Sequence, residues 1–284
     1  MKAIILGCGL ISGRWIRTLA ADPRITITAL IDTDQQAAAQ AADSCGLADV
    51  PWFPVMDAAL AADSVDIAVN LTPAGSHARY TRSALEHGLH VFTEKPLALG
   101  LDEAWALTQL AQSRGLTLTA MSNRGQDARF LAFAGLVRGL GSGPCTVSED
   151  MFVRLPIAGF RSQLRFPALQ DLAVHAFDQI RQVISVAPAE VTSGEVPLPL
   201  PGGHCSIASA TVTFTDRSVF TFRGGFTGPG HQTSADGHWR IDLPGAGCRW
   251  DGQHNVTILH DTPGQRQPLA ACPRQTATAP ASLR

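Results

Sequence analysis

The chain lacks the features that would tie it to nucleic acid, to a membrane or to an oxidising compartment. Its 22 Lys and Arg stand against 24 Asp and Glu, a formal net charge of -2. The two signs are intermixed and no polybasic stretch occurs, so there is no electrostatic footprint for nucleic acid or an anionic lipid surface. No apolar run is long enough to cross a bilayer, because the longest are broken by charge or glycine. The six cysteines, Cys8, Cys45, Cys145, Cys205, Cys248 and Cys272, are scattered and form no Cys-x-x-Cys. That spacing excludes a paired zinc or dithiol site, so no metal is expected, and the cysteines read as thiols of a reducing compartment. The opening MKAIILGCGLISGRW carries one lysine and an apolar run shorter than a secretory core. A cytoplasmic protein is expected, in which the Asn-Val-Thr at Asn255 is not glycosylated. No internal repeat is visible.

What is present is a change of texture near residue 120. With 284 residues the chain is long enough for two domains. Over residues 1–120, strand-like runs (KAIILG, ITITALID, VDIAVNL, LHVFTE, LTLTA) alternate with helix-like segments. Strands apolar throughout and separated by helices require a parallel sheet covered on both faces, a doubly wound α/β domain. Residues 121–272 read as an α+β domain with a mostly antiparallel open sheet. Two helical segments, DARFLAFAGLVRG and LQDLAVHAFDQIRQVIS, accompany alternating strands such as CSIASATVTFTD and SVFTFRGGF. Residues 273–284 carry no period and read as a loose tail.

The first chemistry lies in GCGLISG, between the first strand and the first helix. Gly7 and Gly9 occupy the G-x-G positions, and the small Ser12 takes the third. Such a turn lets a pyrophosphate approach the backbone and the free N–H groups of the helix start. Asp32 ends the second strand a little over twenty residues on. A carboxylate there accepts from ribose hydroxyls and repels a 2′-phosphate, and no arginine follows in IDTDQQ, so NAD is favoured over NADP. Asp34 reads as the cap of the next helix.

Glu94, Lys95 and Pro96 then follow the strand GLHVF, where ligands bind in a doubly wound sheet. Together, GCGLISG, VNLTPAGSHARYTRSALEHGLHVFTEKPLA at 69–98 and DLAVHAFD at 171–178 make the resemblance specific. Residues 1 to about 265 resemble the glucose-fructose oxidoreductase, inositol dehydrogenase and MocA-like (Gfo/Idh/MocA) family of pyridine-nucleotide oxidoreductases. The resemblance implies a Rossmann domain that holds NAD through Gly7, Gly9, Leu10, Ile11, Ser12, Asp32, Leu71, Thr72, His77, Glu94 and Lys95. It also implies that Lys95 reaches the substrate beside the nicotinamide, and that the Lys95–Pro96 bond is cis.

Asp171, His175 and Asp178 are spaced four and three apart, so in an α-helix they share one face. A histidine flanked by acids is held in one tautomer and titrates near neutrality. The resemblance implies hydride chemistry on a small sugar, polyol or related hydroxy compound. His175 would take the hydroxyl proton, Lys95 would polarise the same oxygen, and Asp171 would bind a substrate hydroxyl or tune the histidine. Three positions depart from the family pattern: Ala74 replaces an asparagine, FPALQ replaces a glycine run, and Ala173 replaces a glycine. Reduction of a carbon–nitrogen or carbon–carbon double bond, and non-catalytic cofactor binding, are the alternatives. Arg154, Arg161 and Arg165 are candidates to face an acidic substrate. The resemblance further implies a homodimer or homotetramer joined through the C-terminal sheet, whose outward face is rich in Ala, Ser, Thr and Val.

Overall fold

Alternating strands and helices in the first 120 residues leave each strand apolar on both sides, and the fold follows from burying both. A computed structural model describes residues 1–155, 157–200, 203–226, 230, 232–260 and 266–267. The expected tail at 273–284 lies outside them. The chain divides into two units, Met1–Met121 and Ser122–Arg284.

In the first unit β1 (Lys2–Leu6), α1 (Ser12–Ala20), β2 (Thr26–Ile31), α2 (Gln35–Cys45), β3 (Trp52–Phe53), α3 (Met56–Ala62), β4 (Ile67–Asn70), α4 (His77–Glu86), β5 (His90–Thr93), α5 (Leu101–Ser113) and β6 (Leu118–Ala120) follow in order. The six strands are parallel, in the order β3-β2-β1-β4-β5-β6. Adjacent residues of one strand feed opposite cores: Ile4 and Leu6 join one apolar cluster with Ala68 and Val91, while Ala3 and Ile5 join another with Leu30 and Val69. Asp34 caps α2 as expected, accepting the N–H groups of Gln36 at 2.8 Å and Ala37 at 3.3 Å. The short β3 was not expected from sequence, since Trp52 and Phe53 lie between two prolines.

The second unit carries α6 (Ala128–Leu140), β7 (Thr146–Val153), a π-helical turn (Ala168–Ala173), α7 (Val174–Val183), β8 (Pro188–Leu200), β9 (Gly203–Phe214), β10 (Val219–Phe226), β11 (His238–Leu243), β12 (Ala246–Trp250), β13 (Val256–His260) and β14 (Arg266–Gln267). Its eight described strands form one sheet, β14-β13-β12-β11-β7-β10-β9-β8, antiparallel except for the β7–β10 pair. One sheet face is buried under α6, α7 and the π turn, with Phe130, Phe133, Phe220, Phe222, Trp239 and Trp250 at its centre. Phe133 stacks on Trp250 with ring centroids 5.0 Å apart. Strand β8, 13 residues containing Pro188, Pro197 and Pro199, is not among the strands expected from the sequence. It stands at the sheet edge, where a missing N–H costs no ladder bond and proline discourages further pairing.

Candidate functional site

The glycine turn sits at the carboxyl end of β1, where the sheet order reverses direction and doubly wound folds bind ligands. Gly7 has φ +90°, and a Cβ there would lie 2.8 Å from the Thr72 nitrogen and 2.9 Å from the Leu71 carbonyl carbon. Only glycine meets both the left-handed conformation and the close approach to the segment after β4. Gly9 differs, because a Cβ there would meet no atom within 4 Å. Its missing side chain therefore leaves open space above the turn, as close approach of a pyrophosphate requires.

Ser12 is buried, its hydroxyl donating to the Gly9 carbonyl at 2.7 Å, and it starts α1, which has no side-chain cap. The uncapped helix start is suited to hold an anion. Leu10 and Ile11 project into solvent.

Asp32 organises this turn. One carboxylate oxygen accepts the Cys8 N–H at 2.7 Å and the other the Asp34 N–H at 2.9 Å. Burial, with the Asp32 charge nearby, pushes the Cys8 thiol up to about 12. Cys8 is thus a neutral thiol and adds no negative charge to the turn. A cavity of about 260 Å³ opens here, lined by Gly7, Asp32, Pro54, Thr72, Pro73, Ser76 and Tyr80 among others. Apolar walls with one carboxylate at the edge suit a flat base and a ribose diol, so the residues present fit a dinucleotide.

The segments after β4 and β5 are tied to this turn by buried polar groups. Asn70 is fully buried, and its amide donates to the His77 carbonyl at 2.9 Å while its Oδ1 accepts the Thr72 hydroxyl at 2.7 Å. His77 is also buried, its ring nitrogens 2.6 Å from the Thr72 carbonyl oxygen and 2.7 Å from that of Pro96. Any effect of His77 on a cofactor therefore passes through the two backbone segments it joins. Leu71 is buried against Gly7. Glu94 accepts the Trp15 indole N–H at 2.8 Å and the Lys95 N–H at 3.2 Å, tying the Glu-Lys-Pro segment to α1. The Lys95–Pro96 peptide is cis. Gly7, Asp32, Thr72, His77 and Glu94 thus belong to one connected constellation. Asn70 was not singled out from sequence; its signal is an amide ending the apolar run IAVN.

In the second unit Asp171 and His175 are both buried, 5% and 6% exposed. They do not lie on one uninterrupted α-helix, as the spacing alone suggested. Asp171 falls in the π turn and His175 in the first turn of α7, so only the His175–Asp178 spacing is that of an α-helix. The turn is anchored from outside the helix: the Glu195 carboxylate accepts the N–H groups of Ala168 at 3.0 Å and Leu169 at 2.9 Å. π turns interrupt α-helices often at functional sites.

Asp171 Oδ2 accepts the Arg161 Nε–H at 2.7 Å, and the guanidinium lies over the rings of Phe160 and Phe226. Asp178 is pushed up by burial and faces Gly125, where a Cβ would collide with its carboxylate. Gln182 donates to the Gly125 carbonyl at 2.6 Å, so α7 holds the start of this unit from the same side. Among the described residues no cluster of His, Cys, Asp and Glu could hold a metal ion.

Comparison with known proteins agrees with this geometry. Residues 1–122 match a family model described as an oxidoreductase family with an NAD-binding Rossmann fold. A stretch of 127 residues, 44% of the chain, is 35% identical to an uncharacterized oxidoreductase, YhhX, of Escherichia coli K12, and covers 37% of that protein. The matched stretch thus spans about a third of such curated relatives.

Solved structures match over nearly the whole chain. An oxidoreductase from Agrobacterium radiobacter, in complex with NAD+, L-tartaric acid and magnesium, superposes with a TM-score of 0.81 at 16% identity, over 99% of this chain and 82% of that one. The WlbA dehydrogenase from Chromobacterium violaceum, in complex with NADH and UDP-GlcNAcA, gives 0.74 at 18% identity, over 88% and 73%. At these identities the likeness concerns the fold.

Proposed function

Through residues 1–122 the chain belongs to the Gfo/Idh/MocA oxidoreductase family with its NAD-binding Rossmann fold, and from that premise we propose that it is an NAD(H)-dependent dehydrogenase or reductase of a small sugar, polyol or related hydroxy or keto compound. The observation that carries the reading is the pairing of Gly7, where no Cβ fits, with an unobstructed Gly9 beside Asp32 and an uncapped α1. A glycine turn kept only for chain reversal needs the first of these and not the others. When bound, the nicotinamide supplies the hydride acceptor or donor.

The residues of this chain supply binding and proton transfer. The helix start and Gly9 hold the pyrophosphate, while Asp32 accepts from the ribose hydroxyls and disfavours a 2′-phosphate. Lys95 brings a cation to the substrate oxygen, stabilising the charge that develops as the hydroxyl is deprotonated. His175 is the proton acceptor for that hydroxyl, and Asp171, fixed by Arg161, orients it or the substrate. The solved complexes with NAD+ or NADH support the cofactor assignment, and their acidic or sugar-nucleotide ligands support the substrate class.

The test is a panel of hydroxy compounds with NAD+, read by the absorbance of the reduced nicotinamide. Once a substrate is found, His175→Asn should lower turnover about 10²-fold or more with NADH affinity unchanged. Lys95→Met should damage substrate binding as well as turnover. Near-normal turnover and an unchanged pH profile in His175→Asn would remove the proton-transfer role. Tight NADH binding without turnover on any substrate would favour a binding protein.

The same reading includes self-association through the open face of the C-terminal sheet, at least as a dimer. Val196 and Ile207 face each other across β8 and β9 and are both exposed. A monomeric mass by light scattering at micromolar concentration would refute it. No described helix is long and apolar enough to cross a membrane. A cytoplasmic location belongs to the reading as well, supported by the free thiols of the five described cysteines.

A further inference from the structure

Within the second unit a cavity of about 460 Å³ lies between the segment 157–167 and strands β8 and β9. That volume is in the range of small-molecule sites. Its polar lining is Arg161, Ser162, Arg165, Glu195 and Ser206, set among apolar side chains such as Phe166. The cavity shares Arg161 with Asp171, so an occupant would abut the segment that carries Asp171 and His175.

The charged groups of the lining differ in how far they are already engaged. Among the described residues Glu195 is the one carboxylate in the lining, and its oxygens already accept from Ala168 N–H, Leu169 N–H and the Ser206 hydroxyl. The positive end of the π turn is thus neutralised by the chain itself, and no free helix terminus is left there for a ligand anion. Arg161 is balanced by Asp171 at 2.7 Å. Arg165 differs: its guanidinium lies 5.0 Å from the Phe166 ring centroid, and no acid within the described residues forms an ion pair with it. Arg165 therefore stands in the cavity lining without an ion-pair partner among the described residues, and the Ser162 and Glu195 oxygens retain lone pairs for hydroxyl donors.

The geometry points to a substrate subsite for a polyhydroxylated compound bearing an acidic group, carboxylate or phosphate, with Arg165 as the residue that binds the acid. This assignment rests on the oxidoreductase reading for its meaning as a substrate site, but its evidence is binding. An arginine fork meets either anion with paired, charge-assisted hydrogen bonds, and the hydroxyls fall to the serine and glutamate oxygens.

The experiment is calorimetric titration of the full chain, saturated with NADH, with D-glucose, D-glucuronate and D-glucose 6-phosphate. At least one acid should bind about tenfold or more tighter than glucose, the range of a hydrogen bond to a charged group, and the tighter acid names the anion recognised. Arg165→Gln should bring that acid to within about twofold of glucose, and Arg165→Lys should retain part of the advantage. Arg165 is exposed, so neither change threatens the fold.

Absence of measurable binding by both acids, equal binding of all three sugars, or an acid advantage that survives Arg165→Gln would overturn the subsite. The same mixtures made with NAD+ and read by absorbance keep the two readings apart. Arg165-dependent acid binding without cofactor reduction leaves the subsite standing and counts against the oxidoreductase reading. Reduction indifferent to Arg165 does the reverse.

Discussion

Glu149 is the residue whose replacement tests the physics of the second unit most directly. It lies on β7 between Phe222 of β10 and Trp239 of β11, and is completely buried. Among the described residues neither carboxyl oxygen has a hydrogen-bond partner. Burial pushes its pKa well above the usual carboxylate range; the Arg124 cation opposes this, while the Asp236 and Asp150 charges add to it. The folded protein therefore keeps the Glu149 proton at pH values where the unfolded chain, with a carboxyl near 4.3, has lost it.

In that window the unfolded state binds fewer protons, so stability falls as pH rises, by about 1.4 kcal/mol per pH unit for this one group. The loss begins above the unfolded pKa and stops once the folded carboxyl itself ionises. Glu149→Gln keeps the shape and carries no proton to lose. Near pH 4 it should differ from the parent by only about 1 kcal/mol, since one unpaired neutral polar group replaces another. It should then gain about 1.4 kcal/mol on the parent for each further pH unit of the window, a large share of a total stability of about 5–15 kcal/mol. Urea unfolding at a series of pH values, followed by the fluorescence of the buried Trp239 and Trp250, reads the difference. A difference flat in pH, or a parent that gains on the variant as pH rises, would refute the reasoning. The latter would mean that Glu149 is ionised in the fold and stabilised by Arg124.

The glycine turn supplies a paired prediction: Gly7→Ala should cost about 2 kcal/mol or more, because its Cβ meets backbone at φ +90°. Gly9→Ala should instead leave thermal stability within about 0.5 kcal/mol while weakening NADH binding about tenfold or more; if both variants behave alike, the division of labour is wrong. Asp32→Ala should narrow the preference for NADH over NADPH in fluorescence titration. It should also cost about 1–2 kcal/mol of stability, because the N–H groups of Cys8 and Asp34 lose their acceptor. Equal affinity of the unaltered protein for the two cofactors would defeat the Asp32 assignment.

Much of this was legible in the chain. The apolar strands of the first unit, the glycine turn, Asp34 as a cap and the position of Asp32 are local facts, because period and turn chemistry act over a few residues. That the first unit's sheet is parallel followed from alternation, since parallel strands need crossover helices, but the order of its strands did not. Less was legible in the second unit. Strand β8 hid behind its prolines, because an edge position tolerates them and edges are defined only once the sheet is assembled. The π turn was invisible for the same reason: its anchor, Glu195, comes from β8, more than twenty residues further along the chain.

Sequence by itself therefore determined the class of protein, the dinucleotide turn and the residue types offered for catalysis, since each is written in contiguous motifs. Tertiary structure decided which of those side chains are already committed. His77 turned inward to join two backbone segments, Glu94 bonded to Trp15, and Arg161 was drawn to Asp171, while Arg165 was left without an ion-paired acid among the described residues. The physical reason is that a polar group's availability depends on every donor, acceptor and charge brought within a few ångströms of it. Those neighbours come from distant parts of the chain, which only the fold brings together.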